Sequence, residues 1–232
     1  MTRILAIEAA TEACSAALLI DGELRERFEL APRRHVALLL PFVDALLAEA
    51  SIRPGALDAV AFGCGPGSFT GLRIAAGITQ GIAFGSDLPV IPVSTLAALA
   101  QGTVRQQGAV NVLAALDARM QEVYWGVFHR DSEGRVTAAG EEQVCAPEAV
   151  VCPQPGEWSG AGSGWLVYAD RLLQHCAVPA AAIYAQQQPH AADVALLAVP
   201  AFAQGKVLAA EQVSPVYLRN NVARKPQTAG SR

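Results

Sequence analysis

The 232-residue chain has no excess of positive charge: 17 Lys and Arg stand against 21 Asp and Glu, a formal net charge of −4. That excludes a protein binding nucleic acid by bulk positive charge, although a local basic patch stays open. Charge of either sign is sparse at 16%, against 52% hydrophobic residues, which excludes a disordered chain. No apolar run approaches the roughly 20 residues that span a bilayer, so no membrane association is expected. Glu8 interrupts the opening segment before a signal-peptide core can form. No Cys-x-x-Cys pair occurs. Cys14, Cys64, Cys145, Cys152 and Cys176 are scattered and odd in number. We therefore expect reduced thiols in a cytoplasmic protein, with neither a disulfide framework nor a structural zinc site.

Catalytic sets are missing too. His35 is followed one turn later by Leu39, not by a second histidine, and His129, His175 and His190 are far apart without matching carboxylate neighbours. No metal site is expected. Ser68 sits between glycines, but the spacing is not that of a hydrolase elbow and no His–Asp pair completes a triad.

What is present reads as alternating strands and helices. Apolar runs at residues 4–7 and 14–20 and alternation over 23–30 predict three strands, with Asp21-Gly22 as a hairpin turn. Residues 36–50 have helical spacing, and Pro41 either kinks that helix or begins it. A strand at 57–62 runs into the glycine-rich stretch 63–71, followed by a helix over 72–84. A strand at 89–93 precedes a helix capped by Ser94 that runs to 107. Further strands are expected at 110–116 and 123–128, a loop rich in Pro, Gly and Ser at 146–164, and helices at 165–176 and 191–204. The pattern implies an α/β fold. We place an N-terminal lobe at 1–106, a C-terminal lobe at 107–223 and a flexible tail at 224–232, leaving open whether the last helix returns to the first lobe.

The glycine-rich stretch is the most informative segment. Between a strand and a helix it could cradle a phosphate, yet no Lys-Ser or Lys-Thr follows, so it is not a P-loop. The alternative is a tight turn packed against a neighbour. The first hairpin loop carries Glu8, Thr11 and Glu12 but no glycine, which favours a vestigial loop over a nucleotide site. Cys64, between two glycines, is either a nucleophile or a buried thiol. Arg73 suits bidentate contact with a carboxylate or phosphate. Gly77, Gly81 and Gly85 recur on one helical face at a cost of roughly 1 kcal/mol each, which close backbone packing would offset.

Gly65-Pro66-Gly67-Ser68-Phe69-Thr70-Gly71-Leu72-Arg73-Ile74 resembles the signature of the TsaB (YeaZ) family. Ile4-Leu5-Ala6-Ile7 with Thr11-Glu12-Ala13-Cys14-Ser15, Val93-Ser94-Thr95-Leu96, Asp117-Ala118-Arg119 with Glu122-Val123-Tyr124, and Pro215-Val216-Tyr217-Leu218-Arg219-Asn220 agree in order. The resemblance implies the two-lobed fold of actin, sugar kinases and heat-shock ATPases, with ribonuclease H-like lobes. It implies an accessory, non-catalytic subunit that pairs with TsaD, and with the ATPase TsaE, for threonylcarbamoylation of the adenosine next to the anticodon of tRNAs. No cofactor is then expected in this chain alone; ATP and metal belong to the partners, tRNA is met through the complex, and the lone chain forms a homodimer. The implied partner surface is the first two helices, at 35–47 and 68–80, with His35, Leu39, Val43, Ser68, Phe69, Thr70, Leu72, Arg73, Ala76, Gly77 and Gln80 as its residues. Glu8-Ala9 stands where the family commonly has Asp-Thr, which fits a degenerate site. The competing readings are a free-standing ATP-dependent phosphotransferase of the same fold and a peptidase; the missing base, metal set and triad argue against both.

Overall fold

The computed structural model describes residues 2–219; the expected tail at 224–232 and Asn220 lie outside them. The chain begins as an antiparallel meander of β1 (Arg3–Glu8), β2 (Ala13–Ile20) and β3 (Glu23–Leu30). Asp21 (φ 50°) and Gly22 (φ 91°) supply the left-handed pair that a two-residue hairpin turn needs. Next come α1 (His35–Glu49), β4 (Ala59–Gly65), α2 (Phe69–Ser86) and β5 (Val90–Ser94). The parallel strands complete a sheet of order β3-β2-β1-β4-β5.

After α3 (Thr95–Gln107) the scheme repeats. A second sheet holds β6 (Asn111–Asp117), β7 (Val123–Arg130), β8 (Val136–Ala138), β10 (Trp158–Ala161) and β11 (Ile183–Tyr184), with β9 (Gln143–Cys145) also pairing with β7. Read from β8, its order is β8-β7-β6-β10-β11, the order of the first sheet. Helices α4 (Ser163–Leu173) and α5 (Ala191–Ala203) complete the second half.

Both faces of the first sheet are covered, which is why its strands read as continuous apolar runs. On one face Leu5, Ile7, Leu18 and Phe62 meet Leu39, Val43 and Leu46 of α1. On the other, Ile4, Ala6, Leu19 and Ile91 meet Ala191, Val194, Ala195 and Ala198 of α5. Helix α3, which directly follows the first sheet, lies on the second, where Leu96, Leu99 and Val104 pack on Val112, Ala114, Leu116 and Phe128. The helix after each sheet therefore lies on the other sheet. The Arg105 fork joins the two exchanged helices, with both bonds to the buried Asp193 carboxylate at 2.9 Å.

Several expectations differ from the structure. Strand β10 lies inside the segment read as loop. It pairs in parallel with β6, and Gly160 lets the Trp165 ring pack directly on its backbone, where a Cβ would come within 2.6 Å; a glycine in a buried strand carries no strand signal. Helix α1 runs from His35 through Pro41 without restarting there. The thiols are not all free: Cys152 and Cys176 form a disulfide across a Cα–Cα distance of 5.5 Å, joining the long loop to the segment after α4. A separation of 24 residues in sequence announces nothing of this proximity. His190 does have a carboxylate neighbour, Glu26 at 3.0 Å, brought from the edge strand β3, and it stacks on Phe28.

Because Asp193 is fully buried, truncating its partner leaves an unpaired charge inside. We expect Arg105→Ala to cost about 3 kcal/mol in chemical denaturation. Arg105→Ala combined with Asp193→Ala should cost less than the sum of the single changes.

Candidate functional site

The glycine-rich turn is built around its neighbours. A side chain at Gly63 would collide with the Glu8 carboxylate, one at Gly67 would come within 2.6 Å of the Ala10 carbonyl oxygen, and one at Gly71 would strike the Ala9 carbonyl. At Gly65, whose φ is +122°, a Cβ would come within 2.5 Å of the Val216 carbonyl oxygen. The Ser68 N–H donates to the Ala10 carbonyl at 2.7 Å, and its hydroxyl caps α2 by accepting from the Gly71 N–H. Each glycine admits a part of this same chain. The turn thus lies against the hairpin loop at Gly63, Gly67 and Gly71 and against Val216 at Gly65.

The hairpin loop makes its own contacts. Glu8 is buried and accepts from the Ala10 N–H at 2.7 Å, while its second oxygen has no hydrogen-bond partner among the described residues. Burial pushes its pKa to about 7, against smaller opposing contributions from the Ala10 and Ala9 N–H groups and Thr95. Thr11 accepts from the Ala13 N–H through its hydroxyl and contacts the His35 ring through its carbonyl at 3.0 Å. Glu12 points to solvent. The Cys64 thiol is buried and pushed up to about 12, first by burial and then by Glu142 and Glu8, which disfavours the thiolate at neutral pH. Among the described residues no three His, Cys, Asp or Glu side chains converge as a metal cluster.

Helices α1 and α2 contact each other and pack on the same face of the first sheet. The residues expected to form a partner surface divide in two. His35, Leu39, Val43, Leu72 and Ala76 are buried in the chain's own core. That corrects the expectation that Leu39 and Leu72 anchor a partner: both sit on the inner stripe, which sequence periodicity cannot distinguish from a docking stripe. Gln80 is half-buried and donates to the Ala210 carbonyl at 2.9 Å. Ser68, Phe69, Thr70, Arg73 and Gly77 are exposed. Beside them the structure adds Val36 (67% exposed), Leu40 and Phe84 (68%). A Cβ at Gly77, Gly81 or Gly85 would meet nothing within 4 Å, so no element among the described residues packs on that stripe.

One contributor escaped the sequence reading. Residues 213–219 cross from the first lobe to the second. The Val216 N–H donates to the Cys64 carbonyl at 2.7 Å, and Arg219 pairs with Glu122 beyond β6. Between these two fixings Tyr217 reaches α2: its hydroxyl accepts from Arg73 Nε at 3.1 Å, and its ring lies 5.6 Å from that of Phe69. The Arg73 guanidinium sits 3.5 Å from the Phe69 ring centre. Pro215–Arg219 was legible as a motif, but its contact with α2 spans 144 residues in sequence.

Residues 29–227 match a family model described as "TsaD: tRNA N6-adenosine threonylcarbamoyltransferase". The chain is 46% identical over 226 residues to the tRNA threonylcarbamoyladenosine biosynthesis protein TsaB of Escherichia coli K12, covering 96% of this chain and 97% of that protein. The Haemophilus influenzae protein of the same name is 41% identical, covering 96% and 95%. The solved structure of YeaZ from Pseudomonas aeruginosa superposes with a TM-score of 0.88 at 47% identity, covering 94% of this chain and all of that one. Agreement in sequence and fold over nearly the full length establishes that this chain belongs to the TsaB (YeaZ) family.

Proposed function

We propose that this chain serves tRNA threonylcarbamoyladenosine biosynthesis in the cytoplasm as a non-catalytic subunit, docking TsaD through the outer face of α1 and α2. The observation that carries the docking surface is the open glycine stripe. Gly77, Gly81 and Gly85 each weaken α2 by about 1 kcal/mol relative to Ala, and nothing among the described residues requires them. A partner helix packed against bare backbone supplies the reason. Val36, Leu40, Phe69 and Phe84 flank the stripe with exposed apolar surface.

The non-catalytic part of the reading is supported by the glycine turn. Gly63, Gly65, Gly67 and Gly71 accommodate Glu8, Val216, Ala10 and Ala9 instead of phosphate oxygens. ATP and metal belong on this reading to TsaD and to TsaE, and tRNA is held mainly by the complex. In the absence of TsaD, the same exposed face supports a homodimer.

Gly81→Leu tests the docking surface. The added side chain enters open space, so the variant should be more stable than wild type by about 0.5–1 kcal/mol yet fail to co-elute with TsaD. A folded Gly81→Leu that co-elutes normally overturns the assignment. Glu8→Gln tests the non-catalytic reading: modification by the reconstituted complex should stay within about twofold of wild type, less than roughly 0.5 kcal/mol. A tenfold loss overturns it.

The same variant carries a pH signature. The Glu8 pKa is raised in the fold, so its contribution is complete below about pH 4.5 and is lost as pH rises through 7. Replacing it with Gln should remove about 2 kcal/mol of the stability loss between pH 5 and pH 8, read from denaturation midpoints at the two values.

A further inference from the structure

Arg73 is exposed, and among the described residues no carboxylate lies within ion-pair distance of it. It is nevertheless held in place. The Phe69 ring lies 3.5 Å from the guanidinium carbon, the Tyr217 ring 5.9 Å from it, and the Tyr217 hydroxyl accepts from Nε at 3.1 Å. Phe69 and Tyr217 are themselves 55% and 41% exposed. Two aromatic rings and a cation stacked in the open keep apolar surface in water, an arrangement that covering by a partner would complete. With Nε engaged by Tyr217, the two terminal nitrogens have no hydrogen-bond partner among the described residues. This is the edge that grips a carboxylate through two parallel hydrogen bonds.

Tyr217 is not free to leave. Val216 is fastened to Cys64 on the first lobe, and Arg219 to Glu122 and to the Arg119 carbonyl on the second. Gly65 provides the close approach the Val216 carbonyl needs. The loop receiving Arg219 has three successive residues in the left-handed region: Arg119 (φ 60°), Met120 (φ 54°) and Gln121 (φ 62°). Non-glycine residues visit that region singly as a rule, so this end of the strap is anchored on a conformation that other contacts must sustain. The location decides the role. Phe69, Arg73, Gly77, Gly81 and Gly85 follow one another at intervals of four, so the cluster heads the open stripe of α2.

We propose that Arg73, held by Phe69 and by Tyr217 of the C-terminal strap, is the socket for a carboxylate on the partner protein, and that Tyr217 is its positioning residue. The inference rests on the docking face argued above and adds its recognition chemistry. A phosphate of RNA is the other anion that fits such a fork. The continuity with an apolar helix face and the net charge of −4 favour a protein carboxylate.

The test is the dissociation constant of the full chain for TsaD, and separately for unmodified tRNA, at low and moderate salt. Arg73→Gln should weaken TsaD binding at least tenfold and flatten its salt dependence. Arg73→Lys should recover little, because an ammonium lacks the fork. Tyr217→Phe, which keeps the ring and the strap, should weaken binding severalfold, and Tyr217→Ala more. Unchanged TsaD affinity in Arg73→Gln and Tyr217→Phe, with Gly81→Leu still failing to bind, overturns the socket and leaves the docking face standing. Normal binding by Gly81→Leu removes the docking face and the socket with it. A loss of affinity for tRNA alone assigns the fork to phosphate and likewise overturns the proposal.

Discussion

The close approach of the first hairpin loop to the start of α2 governs the rest of the site. Ala9 and Ala10 lie directly against the backbone at Gly71 and Gly67, and the Glu8 carboxylate occupies the space over Gly63. A Cβ at any of these positions would push loop and helix apart, so glycine is required by contact and not by flexibility. The contact has two consequences. It leaves no room for a side chain at the three glycines, and it fixes the direction in which α2 leaves the sheet. The helix consequently buries Leu72, Ala75 and Ala76 inward and turns Arg73, Gly77 and Gly81 outward.

The two lobes support this arrangement by exchanging helices. Helix α5 backs the first sheet, on the face opposite α1 and α2, while α3 serves the second. Neither lobe could bury both faces of its sheet alone, and Arg105 with Asp193 ties the exchanged pair together. The strap at 213–219 is a second bridge, made on the side where the glycine turn lies. The outer face of α1 and α2, the proposed docking face, is thus carried on a scaffold braced from both lobes, and little ordering should remain to be done on binding.

Much of this was legible in the sequence, for reasons that can be named. Strands β1 to β3 declared themselves through apolar runs and Asp21-Gly22, and α3 through the Ser94 cap, whose hydroxyl accepts from the Ala97 N–H at 3.2 Å. The glycine turn was recognisable, but whether it cradled an anion or packed on a neighbour depended on Ala9 and Ala10, more than 50 residues upstream. Helical spacing locates α1 and α2 without telling inner from outer stripe, and Leu39 and Leu72 lie on the inner one. Tyr217 with Arg73, Cys152 with Cys176 and His190 with Glu26 are pairings of distant segments, which local pattern does not encode.

Hydrogen exchange of the full chain with and without TsaD, in the absence of nucleotide, tests the central claim most directly. The account predicts slowed exchange confined to the outer face: the start of α1, α2 from Phe69 to Ser86, and the strap around Tyr217. Protection of α4 and the second sheet, with α2 unchanged, would contradict it.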